Sequence, residues 1–362
     1  MLSEVYSSVK PLFILSSLSG LFFIKVDFKD EKVLKPSWST LTVFAVIMIH
    51  TIGYWQYSNL ELITRIFETK ASSKGSPILM FLDYSVVVTS MSWIYYKRDK
   101  ILKILIMLSE IDEKFEVRIN YKLQQKRLWI ILGSMLLIIV IILLIQLSLT
   151  VFSQTVSIHK EYLIPLFHIL LFITKICLFS HYIVFMSKIS KRFVMMNDCI
   201  DKSIDQLPGI HLKIAECVKL YNSVYGTPMM GTFAVYLVWC SIYSSIPLLM
   251  TGLNLLMKIM IIIGMAIAAI ILCSIIHAAE RISIAKQHGM QQLYSKLAFE
   301  PENSDKICQI IMQIRDTNVG FSCKFFDFNW NLMFKFITAC VMYLIIIIQF
   351  EGENLKKDQL IC

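Results

Sequence analysis

Charged residues are scarce in this chain. Asp, Glu, Lys and Arg make up 17% of its 362 residues, whereas 56% are hydrophobic, and the mean hydropathy is +0.65. So few charges exclude an intrinsically disordered chain, and 12 Gly with 8 Pro exclude a collagen-like or low-complexity chain. The apolar surface exceeds what one water-soluble core buries, so the composition predicts an integral membrane protein.

The sequence also lacks the motifs of common catalytic and cofactor sites. It contains no P-loop, G-x-G-x-x-G, H-E-x-x-H, G-x-S-x-G or C-x-x-C pattern, and its seven His are scattered. We therefore predict no enzyme activity, no metal and no cofactor. The net charge of +9 comes without a nucleic-acid-binding signature, so we expect no nucleic-acid partner.

Long apolar runs are what the chain has instead of these motifs. A helix needs about 20 apolar residues to cross a bilayer, and seven runs of roughly that length carry few or no charges. They lie approximately at 38–60, 76–96, 129–151, 163–186, 228–250, 258–276 and 328–350. The sequence therefore predicts an all-α integral membrane protein with seven transmembrane helices.

Basic residues indicate the orientation of these helices, because Lys and Arg in short loops resist translocation. The four segments on one side contain 26 of the 35 basic residues, and these segments are 1–37, 97–128, 187–227 and 277–327. The four on the other side contain 6, and these are 61–75, 152–162, 251–257 and 351–362. This predicts the N-terminus inside and the C-terminus outside. Only Cys362 of the nine Cys then lies outside, so we expect no disulfide framework.

Two of the inside segments show helical spacing of apolar residues, which predicts helices that extend into the cytoplasm. The residues are Ile101, Ile104, Leu105, Leu108, Ile111 and Phe115 in one segment and Ile307, Ile310, Ile311 and Ile314 in the other. A shorter apolar run at 11–24 has no A-x-A cleavage site after it, so we expect an interfacial or partly buried helix rather than a signal peptide.

The last predicted span ends in a short pattern. Tyr343 is followed by five apolar residues and then by Gln349 and Phe350. This resembles the C-terminal signature of the insect gustatory receptor family, which is Thr-Tyr, five apolar residues and Gln-Phe, with Met342 in the place of the Thr. The number of spans, the inside N-terminus and the chain length agree with that family, which is related to the insect odorant receptors.

A second stretch upstream also resembles the family. Phe326 and Asn329-Trp330 match a Phe-x-x-Asp-hydrophobic pattern, with Asn329 in place of the Asp and Lys324 where a Gly is common. The resemblance implies a tastant-gated cation channel in the plasma membrane of chemosensory neurons. It further implies four subunits, identical or mixed with other chemoreceptor subunits, around one pore lined by the outer half of the last helix.

The residues of the last span suit a pore. Met342, Ile345, Ile346 and Gln349 share one helical face, and Phe350 follows them, so four copies would form a hydrophobic constriction with amides near its outer end. Ordinary helix packing is the alternative for such an Ile-rich face.

Glu351 and Glu353 would form a negative outer vestibule around this pore, unless they belong to a solvated tail. We thus divide the chain into a cytoplasmic N-terminal segment, a six-helix ligand-binding bundle, a cytoplasmic anchor, a pore-lining helix and an extracellular tail. These parts are 1–37, 38–276, 277–327, 328–350 and 351–362.

Several polar side chains recur at one depth of the predicted bundle, about 8–11 Å below its outer surface. A ligand pocket open to the outside would explain them, although hydrogen bonds between helices would also do so. The candidates are Asp83, Gln146, His168 and Tyr243, with Tyr236 and Trp239 as aromatic walls. Lys175, midway down its span, needs a carboxylate, a carbonyl or a route to the interface.

Two other classes of seven-helix or multi-span protein remain as alternatives. A G-protein-coupled receptor has its N-terminus outside, which would put the 26 basic residues on the wrong side, and the chain has no D-R-Y or N-P-x-x-Y motif. A secondary transporter is expected to show inverted repeats and broken helices at matching positions. Seven spans do not divide into two equal repeats, which disfavours the transporter. The orientation and the missing motifs disfavour the G-protein-coupled receptor.

Overall fold

A computed structural model gives the structure of residues 2–18, 25–27, 32–34, 47–48, 51, 70–115, 120–133, 137, 163–200, 204–249, 255–323 and 325–361. Nearly all of this described part is helical. Its helices are α1 (Leu2–Leu18), α2 (Lys70–Tyr96), α3 (Arg98–Lys114), α4 (121–133), α5 (Leu163–Asp198), α6 (Leu207–Leu249), α7 (Leu255–Phe299), α8 (Ser304–Asp316) and α9 (Trp330–Ile361). Short 3-10 turns at Ile204–Gln206 and Pro301–Asn303 precede α6 and α8.

One small hairpin departs from the all-α prediction. Strands β1 (Lys25–Asp27) and β2 (Lys32–Leu34) pair antiparallel, with Val26 opposite Val33. Each strand has only three residues, Lys-Val-Asp and Lys-Val-Leu. So short an alternation of polar and apolar residues does not distinguish a strand from a loop in the sequence.

The central helices are longer than the apolar runs that predicted them. α5 begins at Leu163, as expected, but continues to Asp198, α6 begins at Leu207 rather than near 228, and α7 continues to Phe299. A search for apolar runs of about 20 residues finds only the part of a helix that can lie in the hydrocarbon core of a bilayer. The rest carries polar residues and packs within the protein, which is consistent with helices that continue beyond the membrane.

Both predicted amphipathic helices are confirmed as helices. α3 buries Ile101, Ile104, Leu105 and Leu108, and α8 buries its four Ile residues. The spacing of three and four residues puts these side chains on one face, and burial of that face against the neighbouring helices stabilises each segment. Asp112 also lies on the buried face of α3, which the apolar pattern alone did not indicate.

The N-terminal helix packs inside the protein rather than standing apart. α1 begins at Leu2, before the apolar run that predicted it, and Val5, Val9, Leu12 and Phe13 are buried. The Phe13 ring contacts His181 and Phe185 of α5. A partly buried helix is therefore what the structure contains here.

Two of the described helices have the length and composition of a membrane span. Segments Ile261–Phe299 and Trp330–Phe350 are long and apolar enough to cross a bilayer. α9 does not end at Phe350 but continues to Ile361, so the predicted tail at 351–362 is helical over most of its length. The predicted spans at 38–60 and 129–151 lie largely outside the described residues.

Candidate functional site

An ion pair between two predicted spans forms the polar centre of the candidate ligand site. Lys175 Nζ of α5 binds Asp83 Oδ2 of α2. The two side chains are only 15% and 12% exposed, so each charge depends on the other for its stability in an apolar environment. This contact decides among the three partners considered for Lys175 in favour of a carboxylate.

The predicted aromatic walls lie beside this ion pair. Lys175 Nζ is 5.9 Å from the centroid of the Tyr236 ring, close enough for a cation–π interaction. Tyr236 contacts Trp239 edge-on at 6.2 Å, and Trp239 stacks on Tyr243 at 4.6 Å. One face of α6 therefore presents three aromatic rings in a row, beginning at the ion pair.

The structure thus brings four of the six predicted ligand residues into one region. Asp83, Tyr236, Trp239 and Tyr243 lie close together, and Lys175 joins them. Gln146 lies outside the described residues. His168 lies on α5, but its side chain is outside the described part.

The pairing of Lys175 could have been found in the sequence. Asp83 is the only charged residue of the apolar run at 76–96, and Lys175 is the only charged residue of the run at 163–186. Two lone opposite charges in separate spans each need a partner in hydrocarbon, and the simplest solution is to pair with one another.

The predicted pore face is exposed on the single chain. Met342 is 60% exposed, Ile345 50% and Phe350 67%, and Ile346 and Gln349 are also exposed. Few side chains of the α9 segment Trp330–Phe350 are buried in the described part of the chain. An exposed apolar face of this length must lie against lipid or against other protein chains. Glu351 and Glu353 lie on the same helix, with side chains outside the described part.

α6 connects the aromatic row to this last helix. Phe233, one turn before Tyr236, packs against Phe328 at 5.5 Å and against Phe336 of α9 at 6.2 Å. The Cys340 thiol of α9 lies 3.9 Å from the Leu237 carbonyl of α6. Within two turns, the same helix therefore contacts the ion pair through Tyr236 and the candidate pore helix through Phe233 and Leu237.

A second contact fixes the turn that leads into α9. The Asn222 side chain of α6 donates to Gly320 O at 2.9 Å and to Ser322 Oγ at 3.2 Å, and it accepts from Ser322 N at 3.1 Å. Gly226, one turn later, leaves room for this turn, since a Cβ atom there would lie 2.9 Å from Ser322 O. The start of the last helix is thus held on α6.

A buried polar network joins the helices below the predicted spans. Arg192 of α5 and Asp112 of α3 are both fully buried, and Arg192 Nε donates to Asp112 Oδ1 at 3.0 Å. The Tyr121 hydroxyl of α4 donates to the same carboxylate. Burial, together with this hydrogen bond, raises the pKa of Tyr121 above its usual value.

Lys188 extends the network towards α1 and α4. Its ammonium donates to Ser8 Oγ at 2.7 Å and to Gln124 Oε1 at 3.0 Å. Burial lowers the pKa of Lys188 to about 7, and the positive charge of Arg192 acts in the same direction, against the opposing effect of Asp112. Sequence reasoning missed this network because its charges looked like those of solvated cytoplasmic helices.

No cluster of three or more His, Cys, Asp or Glu that could hold a metal ion occurs among the described residues. The arrangement around Lys175 instead combines a charged pair with aromatic faces. Such a combination can bind a small molecule through hydrogen bonds and ring contacts.

The fold is similar to that of solved olfactory receptors. The chain matches insect olfactory receptor OR5 from Machilis hrabei with a TM-score of 0.70 at 12% identity, over 94% of this chain and 97% of that one. The structure of the same receptor in complex with eugenol gives a TM-score of 0.67 at 13% identity, with the same coverage. At such low identity the likeness establishes the fold alone.

The sequence itself matches a family profile over nearly its whole length. The profile is that of the 7tm Chemosensory receptor family, and it covers residues 9–354. No curated protein matches the chain significantly. Since the profile covers both candidate sites and agrees with the fold, the chain belongs to the membrane-integral 7tm chemosensory receptor family, the superfamily of insect gustatory and odorant receptors.

Proposed function

We propose that this chain is a gustatory receptor subunit that acts as a tastant-gated, non-selective cation channel. It would lie in the plasma membrane of chemosensory neurons, with its N-terminus inside and its C-terminus outside. Family membership supports a chemosensory role. The observation that carries the channel proposal is the face of α9 formed by Met342, Ile345, Ile346 and Gln349, which is exposed in the described part of the chain.

Assembly of four subunits, identical or mixed, would cover that face. Met342, Ile345 and Ile346 would then surround a narrow apolar passage, which closes by losing its water. Gln349 and Phe350 would lie at the outer end of this passage. Glu351 and Glu353, one turn further on, would raise the local concentration of cations at the mouth.

The tastant would bind beside the ion pair of Asp83 and Lys175. The aromatic rings of Tyr236, Trp239 and Tyr243 supply flat apolar contacts there, and the charged pair supplies hydrogen-bond donors and acceptors. Such a lining suits a small molecule that has both polar groups and an apolar face. Gln146 and His168 remain candidates for the same pocket.

α6 would transmit binding to the pore. A ligand that contacts Tyr236 or Trp239 pushes on the helix that also packs, through Phe233, against Phe328 and Phe336. Opening requires that the ligand bind the open arrangement more tightly than the closed one. A tenfold gain in the ratio of open to closed channels at saturating ligand needs about 1.4 kcal/mol of such preference.

Recordings from cells that express the chain test this proposal. We expect at least one of a panel of sugars, bitter alkaloids and dissolved carbon dioxide to evoke an inward cation current. Trp239→Ala should shift the concentration for half-maximal current, whereas Gln349→Ala should alter conductance or resting leak. Gln291→Ala, an exposed Gln on α7, serves as the matched control for the second variant. Unchanged currents in both test variants would contradict the assignment of these sites.

A further inference from the structure

α4 has two unlike faces. Tyr121, Leu128 and Leu132 are buried against the rest of the chain. Gln124 accepts the hydrogen bond from Lys188. These contacts fix α4 in place. Lys122, Lys126, Trp129 and Ile130 on its opposite side are exposed in the described part of the chain, where α4 leads into the predicted span at 129–151.

The exposed face of α4 forms a shallow groove, wide open to its surroundings, with a graded composition. The groove has a volume of about 380 Å³ and is lined by Lys122, Gln125, Lys126, Trp129 and Ile130. At 1.5 Å per residue, Lys122 and Trp129 are about 10 Å apart along the axis, enough to cross a phospholipid head-group layer of roughly 5–8 Å. The face changes from basic to aromatic to aliphatic over that distance.

No described residue pairs with the basic side chains of this face. Neither Lys122, Lys126 nor Arg127 forms an ion pair with a described residue, and all three are exposed. Lys191 of α5 adds a fourth cation close by. The pKa of Lys191 is lowered, chiefly by burial and by Arg192, with a further contribution from Arg127. Asp112, the buried carboxylate next to this region, is already bound to Arg192.

We infer that this groove binds the head group of an anionic phospholipid from the inner leaflet. Lys122 and Lys126 would bind its phosphate, and the Trp129 ring would lie at the boundary between head groups and acyl chains, where Trp is favoured. Ile130 and Ile131 are 61% and 51% exposed just beyond it. A lipid can pack its acyl chain on these two side chains, whereas a free phosphate gains nothing from them. The inference relies on the proposed orientation, which puts the start of α4 at the cytoplasmic face.

Binding to purified full-length protein in detergent tests this inference without any current recording. The probes are short-chain phosphatidylinositol bisphosphate and phosphatidylserine, with short-chain phosphatidylcholine and soluble inositol trisphosphate for comparison. We expect both anionic lipids to bind, and phosphatidylcholine to bind at least tenfold more weakly. Inositol trisphosphate should also bind at least tenfold more weakly than the lipid with the same head group.

Two substitutions at the groove should weaken binding. Lys122→Gln with Lys126→Gln should lower the affinity for anionic lipid about 25-fold, since each basic residue near a lipid surface contributes roughly fivefold. Lys103→Gln with Lys306→Gln removes the same charge from exposed sites elsewhere and should leave the affinity unchanged. If the double groove variant does not purify as a monodisperse protein, Lys126→Gln alone should still show about a fivefold loss.

Several results would overturn the inference. These are equal losses in the groove and control variants, no preference of the wild type for anionic lipid, or equal affinity for inositol trisphosphate. The proposed channel function fails separately, because its readout is a current. Lipid binding that depends on Lys122 and Lys126 would stand even if no tastant evoked a current.

Discussion

The ion pair of Asp83 and Lys175 allows a quantitative test. Asp83→Asn leaves the Lys175 ammonium without its carboxylate in an environment where both side chains are at least 85% buried, and Lys175→Met leaves the carboxylate alone. Loss of one partner of a buried pair costs about 3–5 kcal/mol. The partial exposure of the pair favours the lower end of that range. At a few degrees per kcal/mol, the melting temperature of each single variant should fall by on the order of 10 °C.

The double variant makes the test specific. Asp83→Asn combined with Lys175→Met removes both charges, so no uncompensated charge remains and most of the lost melting temperature should return. Thermal stability of detergent-purified receptor and surface expression in cells are the two readouts. Asp205→Asn, at an exposed ion pair with Lys306, is the control and should change neither. Additive losses in the double variant would refute the claim that the two charges stabilise one another.

The remaining predictions concern the turn before α9 and the buried network. Gly226→Ala should destabilise the receptor by about 1–3 kcal/mol and alter its resting current, because the new methyl group would collide with the turn. Gly133→Ala should do neither, since among the described residues a Cβ atom there meets no other part of the chain within 4 Å. Asp112→Asn should lower the melting temperature by more than any exposed substitution, since it leaves Arg192 charged and buried. Burial lowers the pKa of Lys188 to about 7, so between pH 7 and 9 the unfolded chain binds more protons at this residue than the folded chain. Stability rises with pH wherever the unfolded state binds more protons. The melting temperature should therefore rise from pH 7 to 9, and should rise less in Lys188→Met. An equal pH dependence in the two proteins would refute the assignment of a lowered pKa to Lys188.

Much of the helical framework could be predicted because apolar periodicity reports burial directly. The buried Ile residues of α3 and α8 lie where their spacing placed them. α2 ends at Tyr96 and α5 begins at Leu163, at the expected borders of their apolar runs. The inner ends of α5, α6 and α7 were not predictable from hydropathy, because their polar residues pack against protein rather than lipid.

The candidate site was predictable only in part. Depth along each span singled out Asp83, Gln146, His168 and Tyr243 separately, with Tyr236 and Trp239 as aromatic walls, and a single apolar helix face suggested the pore residues. Neither argument shows which spans are neighbours. That Asp83 and Lys175 are the lone opposite charges of two spans suggests that they pair, and the structure establishes the contact. The buried pair of Asp112 and Arg192 was missed because charge alone does not reveal burial.

The charge at position 349 offers the most direct test of the central claim, that a tastant opens a cation pore lined by α9. Gln349→Glu and Gln349→Lys should change the tastant-evoked current in opposite directions. Four added carboxylates would favour cations and shift the reversal potential towards that of the more permeant cation, and four ammonium groups would reduce cation current severalfold. Gln291→Glu and Gln291→Lys on α7 should leave the current unchanged. If the two Gln349 variants have the same reversal potential and conductance as the two Gln291 variants, α9 does not line the ion pathway.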